Sequence, residues 1–260
     1  MLQKHLLEAR SIVVVTGAGI SVASGIAPFR KDKDAVWEQD ILEMGTFAYF
    51  KENPVESWKW YRRRFSGLAT KEPNAAHLAL KNLEDWTLRH NKRFCLITQN
   101  IDALHRKAGS QNVIEIHGRS DCVRCSISNC LYGEPFGRLE ASEVDFRTFD
   151  GNPCFENIPK CPACQSPVRA HVLWFDETYD AHMDYQFDRA LMSVFDGHLI
   201  IFIGTSFSVG ITDSIWQIAI QQNIPMFAID PSPTKEIPNI TWIEQKSEQY
   251  LPTLVENLLD

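Results

Sequence analysis

The 260-residue chain has 26 basic and 33 acidic residues, a formal net charge of −7. Because nucleic-acid binding depends on clustered Lys and Arg, this balance argues against a surface devoted to nucleic acid and leaves only a local basic patch open. Apolar runs such as Leu199–Ile203 are far shorter than the roughly 20 residues of a membrane-spanning helix, so we expect no membrane contact. The length suits one large domain, with or without a smaller inserted lobe.

Short apolar runs alternate with stretches of helical spacing. Leu2–Arg10 has helical spacing, and the β-branched run Ser11–Val15 that follows it is typical of a parallel strand buried on both faces. Further strands are predicted at Arg93–Ile97, Val113–Ile116, His198–Ile203 and Pro225–Ile229, and helices at Asn74–Trp86 and Asp213–Gln222. The alternation predicts an α/β fold, with a Rossmann-like doubly wound parallel sheet and functional groups at the carboxyl ends of its strands.

Two segments interrupt this alternation. Phe29–Lys71 is helical in spacing and rich in aromatic residues, and Arg119–Ala170 contains most of the cysteines and little regular periodicity. We expect a single domain over 1–260. Its large lobe would comprise about 1–28, 72–118 and 171–260, and its small lobe a helical part at about 29–71 and a zinc module at about 119–170.

The two chain features that bear on location are the start of the chain and its cysteine content. Sixteen residues precede Gly17, and they already have the pattern of a helix and a buried strand, so we expect no signal or transit peptide and a cytoplasmic protein. Seven cysteines, an odd number, fit thiols and a metal site better than a disulfide framework.

A glycine-rich turn follows the first predicted strand. Gly17 and Gly19 would let the backbone approach a phosphate, and the N-terminus of the next helix would favour its negative charge. The full G-x-G-x-x-G spacing is not met, because Ala23 stands close to where the third glycine would be. By itself the turn is equally compatible with a plain strand-to-helix connection.

Two closely spaced groups of cysteines indicate a zinc site. Cys161 and Cys164 form one C-x2-C pair, and Cys122, Cys125 and Cys130 offer either a C-x2-C or a C-x4-C partner. Four thiolates around zinc leave no open coordination position, so the ion would be structural. The alternative is a set of unligated buried thiols.

An amide, a carboxylate and an imidazole follow two successive predicted strands. They belong to Asn100, Asp102 and His117. Each could be a satisfied core or capping residue, which is the commoner situation. Together they suit catalysis, because a histidine near neutrality can act as a general base, and an amide and a carboxylate can hold a water or a ligand.

Six segments in order resemble the sirtuins: Gly17–Arg30, Thr98–Asp102, His117–Gly118, the cysteine pairs, Trp174–Glu177 and Gly204–Ser206. The resemblance spans most of the chain. It implies an NAD-dependent protein-lysine deacylase that consumes NAD as a cosubstrate, contains one structural Zn²⁺ and acts on acylated-lysine proteins or peptides. The products would be nicotinamide and O-acyl-ADP-ribose.

The resemblance also implies roles for single residues. His117 would be the general base, with Asn100 and Asp102 beside it in the catalytic pocket. NAD would be bound by Gly17, Ala18, Gly19, Phe29, Arg30, Gln99, Asn100, Ile101, Asp102, Gly204, Thr205, Ser206, Asp230 and Ser247. The substrate peptide would pair by strand addition with Val172, Trp174 and Phe175. Registered on His117, the zinc ligands would be Cys125, Cys130, Cys161 and Cys164, with Cys122 as a spare thiol.

The segment Trp58–Arg64 bears on acyl specificity. Tyr61 and Arg64 lie three residues apart, on one face of a predicted helix. They resemble the Tyr-x-x-Arg signature of the class III sirtuins, the desuccinylase and demalonylase subgroup. A guanidinium can bind a distal carboxylate with two hydrogen bonds, and a phenol adds a third donor. From periodicity alone, the three consecutive arginines would be a solvated basic face.

Three other functions remain open on the sequence. They are a deacetylase without acidic-acyl preference, an ADP-ribosyltransferase or NAD glycohydrolase, and a non-enzymatic zinc-ribbon interaction module. His117 and the Tyr61–Arg64 pair argue against the second. The chain also departs from the family at Asp176, where glycine is common, and this change should remove backbone freedom near the peptide channel.

Overall fold

The computed structural model describes residues 1–27, 42–65, 67–233 and 236–259. These residues form nine strands: β1 (Ser11–Thr16), β2 (Arg93–Thr98), β3 (Val113–Glu115), β4 (Gly118–Cys125), β5 (Leu139–Glu140), β6 (Val168–Val172), β7 (Leu199–Ile203), β8 (Met226–Ile229) and β9 (Ile240–Ile243). Their α-helices include Leu2–Glu8, Phe47–Glu52, Pro54–Phe65, Ala75–Arg89, Leu104–Lys107, Arg147–Gly151, Phe187–Phe195, Gly210–Gln221 and Ser247–Leu259. Phe29 and Arg30 lie outside the described residues, so their predicted role in NAD binding stays a prediction.

Six parallel strands form the main sheet, in the order β3-β2-β1-β7-β8-β9. The chain builds outward from β1 through β2 to β3 and later returns to the other side of β1 with β7. The connections therefore reverse direction between β1 and β7, where open α/β sheets have a crevice at their carboxyl ends. The predicted α/β class and the Rossmann-like parallel sheet are confirmed.

Two apolar layers cover the sheet, and β1 contributes to both. Ile12 and Val14 pack with side chains of helices Leu2–Glu8, Ala75–Arg89 and Ser247–Leu259. Val13 and Val15 face the opposite layer, built largely by helices Phe187–Phe195 and Gly210–Gln221. Because both faces are buried, the strand is apolar at successive positions instead of every second one.

A second, antiparallel sheet has the strand order β5-β4-β6. Its inner face shares one apolar cluster with the aromatic helices Phe47–Glu52 and Pro54–Phe65. Trp58 shows the connection directly, because its indole N–H donates to the carbonyl of Val168 on β6 at 2.8 Å. The helical and cysteine-rich segments therefore form one small lobe. Its exact boundaries stay predictions.

The predicted elements agree with the structure in type and differ at their ends. The helix expected at Asn74–Trp86 begins at Ala75, because Asn74 caps it by accepting the Ala76 N–H at 2.9 Å, and it continues to Arg89. Strand β9 and helices Phe187–Phe195 and Ser247–Leu259 were not predicted. Among the described residues no helix is long and apolar enough to cross a membrane.

The turns after β1 and β7 touch each other at their backbones. The Gly19 N–H donates to the Gly204 carbonyl at 2.8 Å, and the Gly17 N–H donates to the Ile203 carbonyl at 3.0 Å. A Cβ atom on Gly19 would stand 2.5 Å from the Gly204 Cα atom, and one on Gly17 would stand 2.8 Å from the Gly204 oxygen. Gly204 itself has φ +58°, in the left-handed region. Both turns therefore need glycine for packing.

Replacing Gly19 by alanine should destabilise the protein, because the added methyl group meets backbone atoms that cannot move aside. We expect the free energy of unfolding to fall by about 1–3 kcal/mol, measured by urea denaturation. Gly151→Ala is the matched control, because a Cβ atom there meets nothing within 4 Å. Equal unfolding midpoints for the two variants would contradict the close contact.

Candidate functional site

Most of the described residues that were predicted for catalysis and NAD binding lie along one edge of the main sheet. The carboxyl ends of five adjacent strands, β3, β2, β1, β7 and β8, lead directly into the segments that contain them. In that order the segments include His117, Gln99–Asp102, Gly17–Gly19, Gly204–Ser206 and Asp230. The helix after β1 differs from the expectation, because Ala18–Ser24 is a 3₁₀ helix.

Ser21 joins the turn after β1 to the turn after β2. Its hydroxyl donates to Asp102 Oδ2 at 2.7 Å and accepts from Asn100 Nδ2 at 3.2 Å. The Asn100 amide also donates to the Gly17 carbonyl at 3.1 Å. Ser21 is buried and was not among the predicted site residues, although it ends the Gly17–Ser21 stretch of the first motif. Its role could be recognised only once the structure placed the two turns side by side.

Asp102 is both a site residue and a capping residue. Its Oδ1 atom accepts the Leu104 N–H at 3.0 Å at the start of helix Leu104–Lys107. Burial raises the pKa of Asp102 above its ordinary value, and the hydrogen bonds from Ser21 and Leu104 oppose that shift. Its carboxyl group is thus held in place from both sides.

His117 lies between two oxygen atoms that determine its tautomer. Its Nδ1 atom is 2.9 Å from the Gln99 carbonyl, which can only accept, so Nδ1 carries the proton. Its Nε2 atom, 3.3 Å from the Tyr179 hydroxyl, keeps its lone pair. Burial lowers the pKa of His117 to about 4, against the opposing effect of the Gln99 hydrogen bond. The ring is therefore neutral at pH 7 and can accept a proton at Nε2. Tyr179 was not predicted.

The other described residues predicted to bind NAD lie on the same edge or beside it. Gln99 Nε2 donates to Thr205 Oγ1 at 3.3 Å, which connects the turns after β2 and β7 across β1. Asp230 is buried and accepts the Ser232 N–H at 2.8 Å. Ser247 begins the helix Ser247–Leu259, and the Ile101 carbonyl accepts the Ser120 N–H at 2.9 Å.

The segment after β6 brings the small lobe to His117. The Leu173 N–H donates to the His117 carbonyl at 2.9 Å, and the Phe175 N–H donates to the Gly45 carbonyl at 3.0 Å. The Trp174 N–H is also engaged, with Glu177 Oε2 at 3.0 Å. The N–H donors of residues 173–175 are therefore occupied by these bonds, and an added peptide strand would have to pair with the carbonyl groups of this segment.

Asp176 has a role that the sequence did not suggest. Its Oδ1 atom accepts the Phe47 N–H at 2.7 Å, and its Oδ2 atom accepts the Ala48 N–H at 3.0 Å. These are the first N–H groups of helix Phe47–Glu52, which otherwise lack partners. The carboxylate therefore ties the segment after β6 to the small-lobe helices.

The three consecutive arginines have three different environments. Arg62 pairs with Asp150, Nε to Oδ1 at 2.9 Å, and Arg63 is exposed. Arg64 is partly buried, with its guanidinium carbon 5.6 Å from the Trp60 ring centre. Desolvation lowers the pKa of Arg64. A solvated basic face therefore describes Arg63 only.

Tyr61 is buried at the centre of the small-lobe cluster, with 7% of its surface exposed. Its hydroxyl oxygen accepts the Trp174 indole N–H at 2.6 Å. A cavity of about 510 Å³ opens beside it and also contacts Phe65, Lys71 and Asp102. The cavity thus extends from the Tyr61 helix to the turn after β2.

Four cysteines converge in the small lobe. Cys125 Sγ lies 3.4 Å from Cys164 Sγ, and Cys130 Sγ lies 3.6 Å from the sulfurs of both Cys161 and Cys164. Sulfurs bound to one tetrahedral zinc ion at about 2.3 Å stand about 3.8 Å apart. The four thiols therefore fit a structural Zn²⁺, as predicted.

Cys122 lies outside this cluster. Its Sγ atom contacts Arg138 Nη1 at 3.2 Å and Glu140 Oε2 at 3.4 Å. Cys122 and Cys125 are three positions apart on β4, so their side chains point to opposite faces of the strand. The two cannot ligate the same ion, which agrees with the assignment of Cys122 as a spare thiol.

A second group, His171, His182 and Asp184, also brings possible metal ligands together. Both ring nitrogens of His182 are already used, because Nδ1 accepts the Asp184 N–H at 3.1 Å and Nε2 donates to the Gly137 carbonyl at 3.1 Å. Asp184 accepts from Arg138 Nε at 2.7 Å. The group is a hydrogen-bonded support for β6.

Comparisons with known proteins agree on one family. A model described as "Sir2 family" matches residues 17–210. "NAD-dependent deacetylase sir2E" of Dictyostelium discoideum is 34% identical over 99% of this chain and 76% of its own length. "NAD-dependent protein deacylase 1" of Archaeoglobus fulgidus is 35% identical over 99% of this chain and 96% of its own length.

Solved structures agree with these relatives. A mutant Sir2 homologue in complex with ADP-ribose superposes with a TM-score of 0.81 at 32% identity, over 99% of this chain and 95% of the other. A Sir2 homologue in complex with NAD gives a TM-score of 0.79 at 32% identity, over 99% and 93%.

Zinc content should distinguish the two candidate cysteines. We expect Cys122→Ser to retain one zinc per chain, because its thiol contacts Arg138 and Glu140, and Cys130→Ser to lose it. Metal analysis by mass spectrometry measures the stoichiometry, and thermal melting with and without chelator measures the stabilisation. Loss of zinc from Cys122→Ser alone would exclude the proposed ligand set.

Proposed function

We propose that this chain, which belongs to the Sir2 family of NAD-dependent protein deacylases, removes succinyl and malonyl groups from lysine side chains in preference to acetyl groups. Family membership rests on the match over residues 17–210 and on relatives such as the Archaeoglobus protein, 35% identical over 99% of this chain. The chain is accordingly an enzyme that uses NAD as its cosubstrate. The acyl preference and the residue roles below are the proposal.

In this proposal, NAD binding and proton transfer belong to separate groups at the strand ends. The backbone of Gly17–Gly19 and Gly204–Ser206 lines the switch point, where a pyrophosphate would approach. Bound NAD supplies an electrophilic ribose carbon, to which the acyl oxygen adds as nicotinamide leaves. His117 Nε2 is the atom that takes the proton of a ribose hydroxyl, because the ring is neutral and this nitrogen keeps the lone pair that faces the Tyr179 hydroxyl.

The acidic-acyl preference rests on Arg64 and Tyr61. The Arg64 guanidinium is partly removed from water beside the Trp60 and Phe65 rings. A partly desolvated cation gains more from an anionic ligand than a solvated one. Tyr61 is a neighbouring donor, and burial raises the pKa of Tyr61, so it stays protonated. A distal carboxylate can bind both groups. An acetyl group has no distal carboxylate and can bind neither in this way.

The cavity beside Tyr61 also supports an anionic acyl group. Five cationic side chains line it, namely Arg62, Lys71, Arg106, Lys107 and Arg119, against the two carboxylates of Asp102 and Asp121. Carboxylates pair with four of the cations; Lys71 has no ion pair with any residue that the structure describes. An acidic acyl group entering from the Tyr61 side would therefore find in Lys71 a cation that no described carboxylate neutralises.

Replacing Arg64 by methionine should lower the ratio of kcat/KM for succinyl-lysine over acetyl-lysine peptides. Loss of one charge-assisted hydrogen-bonded pair corresponds to about a 10- to 100-fold fall. Arg63→Met is the matched control, because Arg63 is an exposed arginine on the same helix. If Arg64→Met kept the wild-type ratio as Arg63→Met does, Arg64 would not recognise the acyl group and the proposed basis of the acidic preference would be wrong.

Replacing His117 by alanine should lower kcat for deacylation by about 10²- to 10⁴-fold, the usual contribution of a general base. For the wild type, kcat/KM should fall only as pH approaches about 4, because His117 stays neutral above its depressed pKa of about 4. A loss of activity centred near pH 6.5 would contradict the buried, neutral histidine.

NAD consumption should also require an acylated peptide; turnover without one would indicate a glycohydrolase.

A further inference from the structure

The hydrogen bond between Trp174 and Tyr61 determines where the phenolic proton can go. An indole N–H can only donate, so at 2.6 Å the Tyr61 oxygen must be the acceptor. The proton on that oxygen then remains for a different partner. None of the described residues is placed to accept it. Tyr61 is thus a buried hydrogen-bond donor. One lone pair of its oxygen accepts the Trp174 N–H, and this bond limits the directions in which the O–H can point.

Trp174 is itself held firmly from below. The Arg169 guanidinium carbon lies 3.5 Å from the centre of the Trp174 ring, and Arg169 is 1% exposed. Arg169 Nη2 donates to Glu177 Oε2 at 2.9 Å, and the same oxygen accepts the Trp174 backbone N–H at 3.0 Å. Both the ring and the main chain of Trp174 are therefore attached to one buried ion pair.

The buried cluster below Trp174 is nearly balanced in charge. Arg124 Nη2 donates to Glu177 Oε1 at 2.9 Å and lies 3.4 Å from Glu134 Oε2. With Arg169, two guanidinium groups face two carboxylates. The cluster is therefore suited to fixing geometry, because little net charge remains to attract a substrate anion over this distance.

We propose that Trp174 is a specificity-determining positioning residue, whose indole N–H occupies the Tyr61 oxygen and directs the phenolic proton toward the carboxylate of an acidic acyl group. The inference rests on the proposed acyl preference and assigns part of it to a side chain outside the Tyr61–Arg64 pair. An occupied oxygen also makes the phenol a better donor, because hydrogen bonds in series polarise one another.

The test compares two tryptophans that each donate one buried indole hydrogen bond. Trp174→Phe removes the N–H that donates to Tyr61. Trp58 is on the same helix as Tyr61, and Trp58→Phe removes the N–H that donates to the Val168 carbonyl. We expect Trp174→Phe to lower the succinyl-to-acetyl ratio of kcat/KM by about 5- to 10-fold, mainly through the KM for the succinyl peptide. Trp58 lines the same cavity and its ring packs against the Tyr61 ring, so Trp58→Phe controls for lost packing beside Tyr61 and should leave this ratio within about twofold of wild type.

A double-mutant cycle with Tyr61→Phe connects the effect to the phenol. In the Tyr61→Phe background, Trp174→Phe should change the ratio no further, because the oxygen it acts through is gone. If Trp174→Phe does not fold, 3-benzothienyl-alanine at position 174 keeps the ring shape and stacking and removes only the N–H, and the same ratio is measured.

The outcomes separate this inference from the proposed function. An unchanged ratio in both Arg64→Met and Tyr61→Phe would contradict the proposed basis of the acidic preference, and the proposed role of Trp174 would fail with it. If those two variants lowered the ratio while the loss of the Trp174 N–H acted equally on both peptides, the inference alone would be overturned. An equal fall of the ratio in Trp58→Phe would likewise overturn it, by showing a general effect of the small-lobe core.

Discussion

The close backbone contact between the turns after β1 and β7 is the constraint on which the site depends. Gly17 and Gly19 pack against Gly204 at distances that leave no room for a Cβ atom. This contact lies where the strand connections reverse, so it closes the floor of the crevice at the edge of the sheet. The turn after β2 is attached to the same floor by hydrogen bonds. Asn100 donates to the Gly17 carbonyl and to the Ser21 hydroxyl, and that hydroxyl donates to Asp102.

The small lobe is connected to this floor through the segment after β6. Leu173 bonds the His117 carbonyl, Trp174 bonds Tyr61, and Asp176 caps the helix Phe47–Glu52. One short segment therefore touches the proposed base, the proposed acyl-recognition residue and the small-lobe helices. The buried Arg169–Glu177 pair holds it in place. A displacement of this segment would therefore disturb the contacts of both proposed residues.

Elements that depend on neighbouring residues in the chain were predictable. Features that depend on contact with a distant segment were not. The run Ser11–Val15 indicated a central strand because both of its faces are buried, and β1 ends one residue later, at Thr16. Strand β9 escaped prediction because it is short and only partly buried, so its pattern is weak. Spacing alone left Cys122 and Cys130 as alternatives, since the choice depends on the strand β4, which places Cys122 beside Glu140 on β5.

By itself the sequence determined the alternation of strands and helices, the residue types at the strand ends and the cysteine groups, because each depends on neighbours in the chain. Only the tertiary structure decided the tautomer of His117, the bonds of Ser21 and the acceptor role of the Tyr61 oxygen. The contacts responsible join residues 18 positions apart for His117 and Gln99, 81 for Ser21 and Asp102, and 113 for Tyr61 and Trp174. No local pattern contains such pairs, because folding alone brings their atoms within hydrogen-bonding distance.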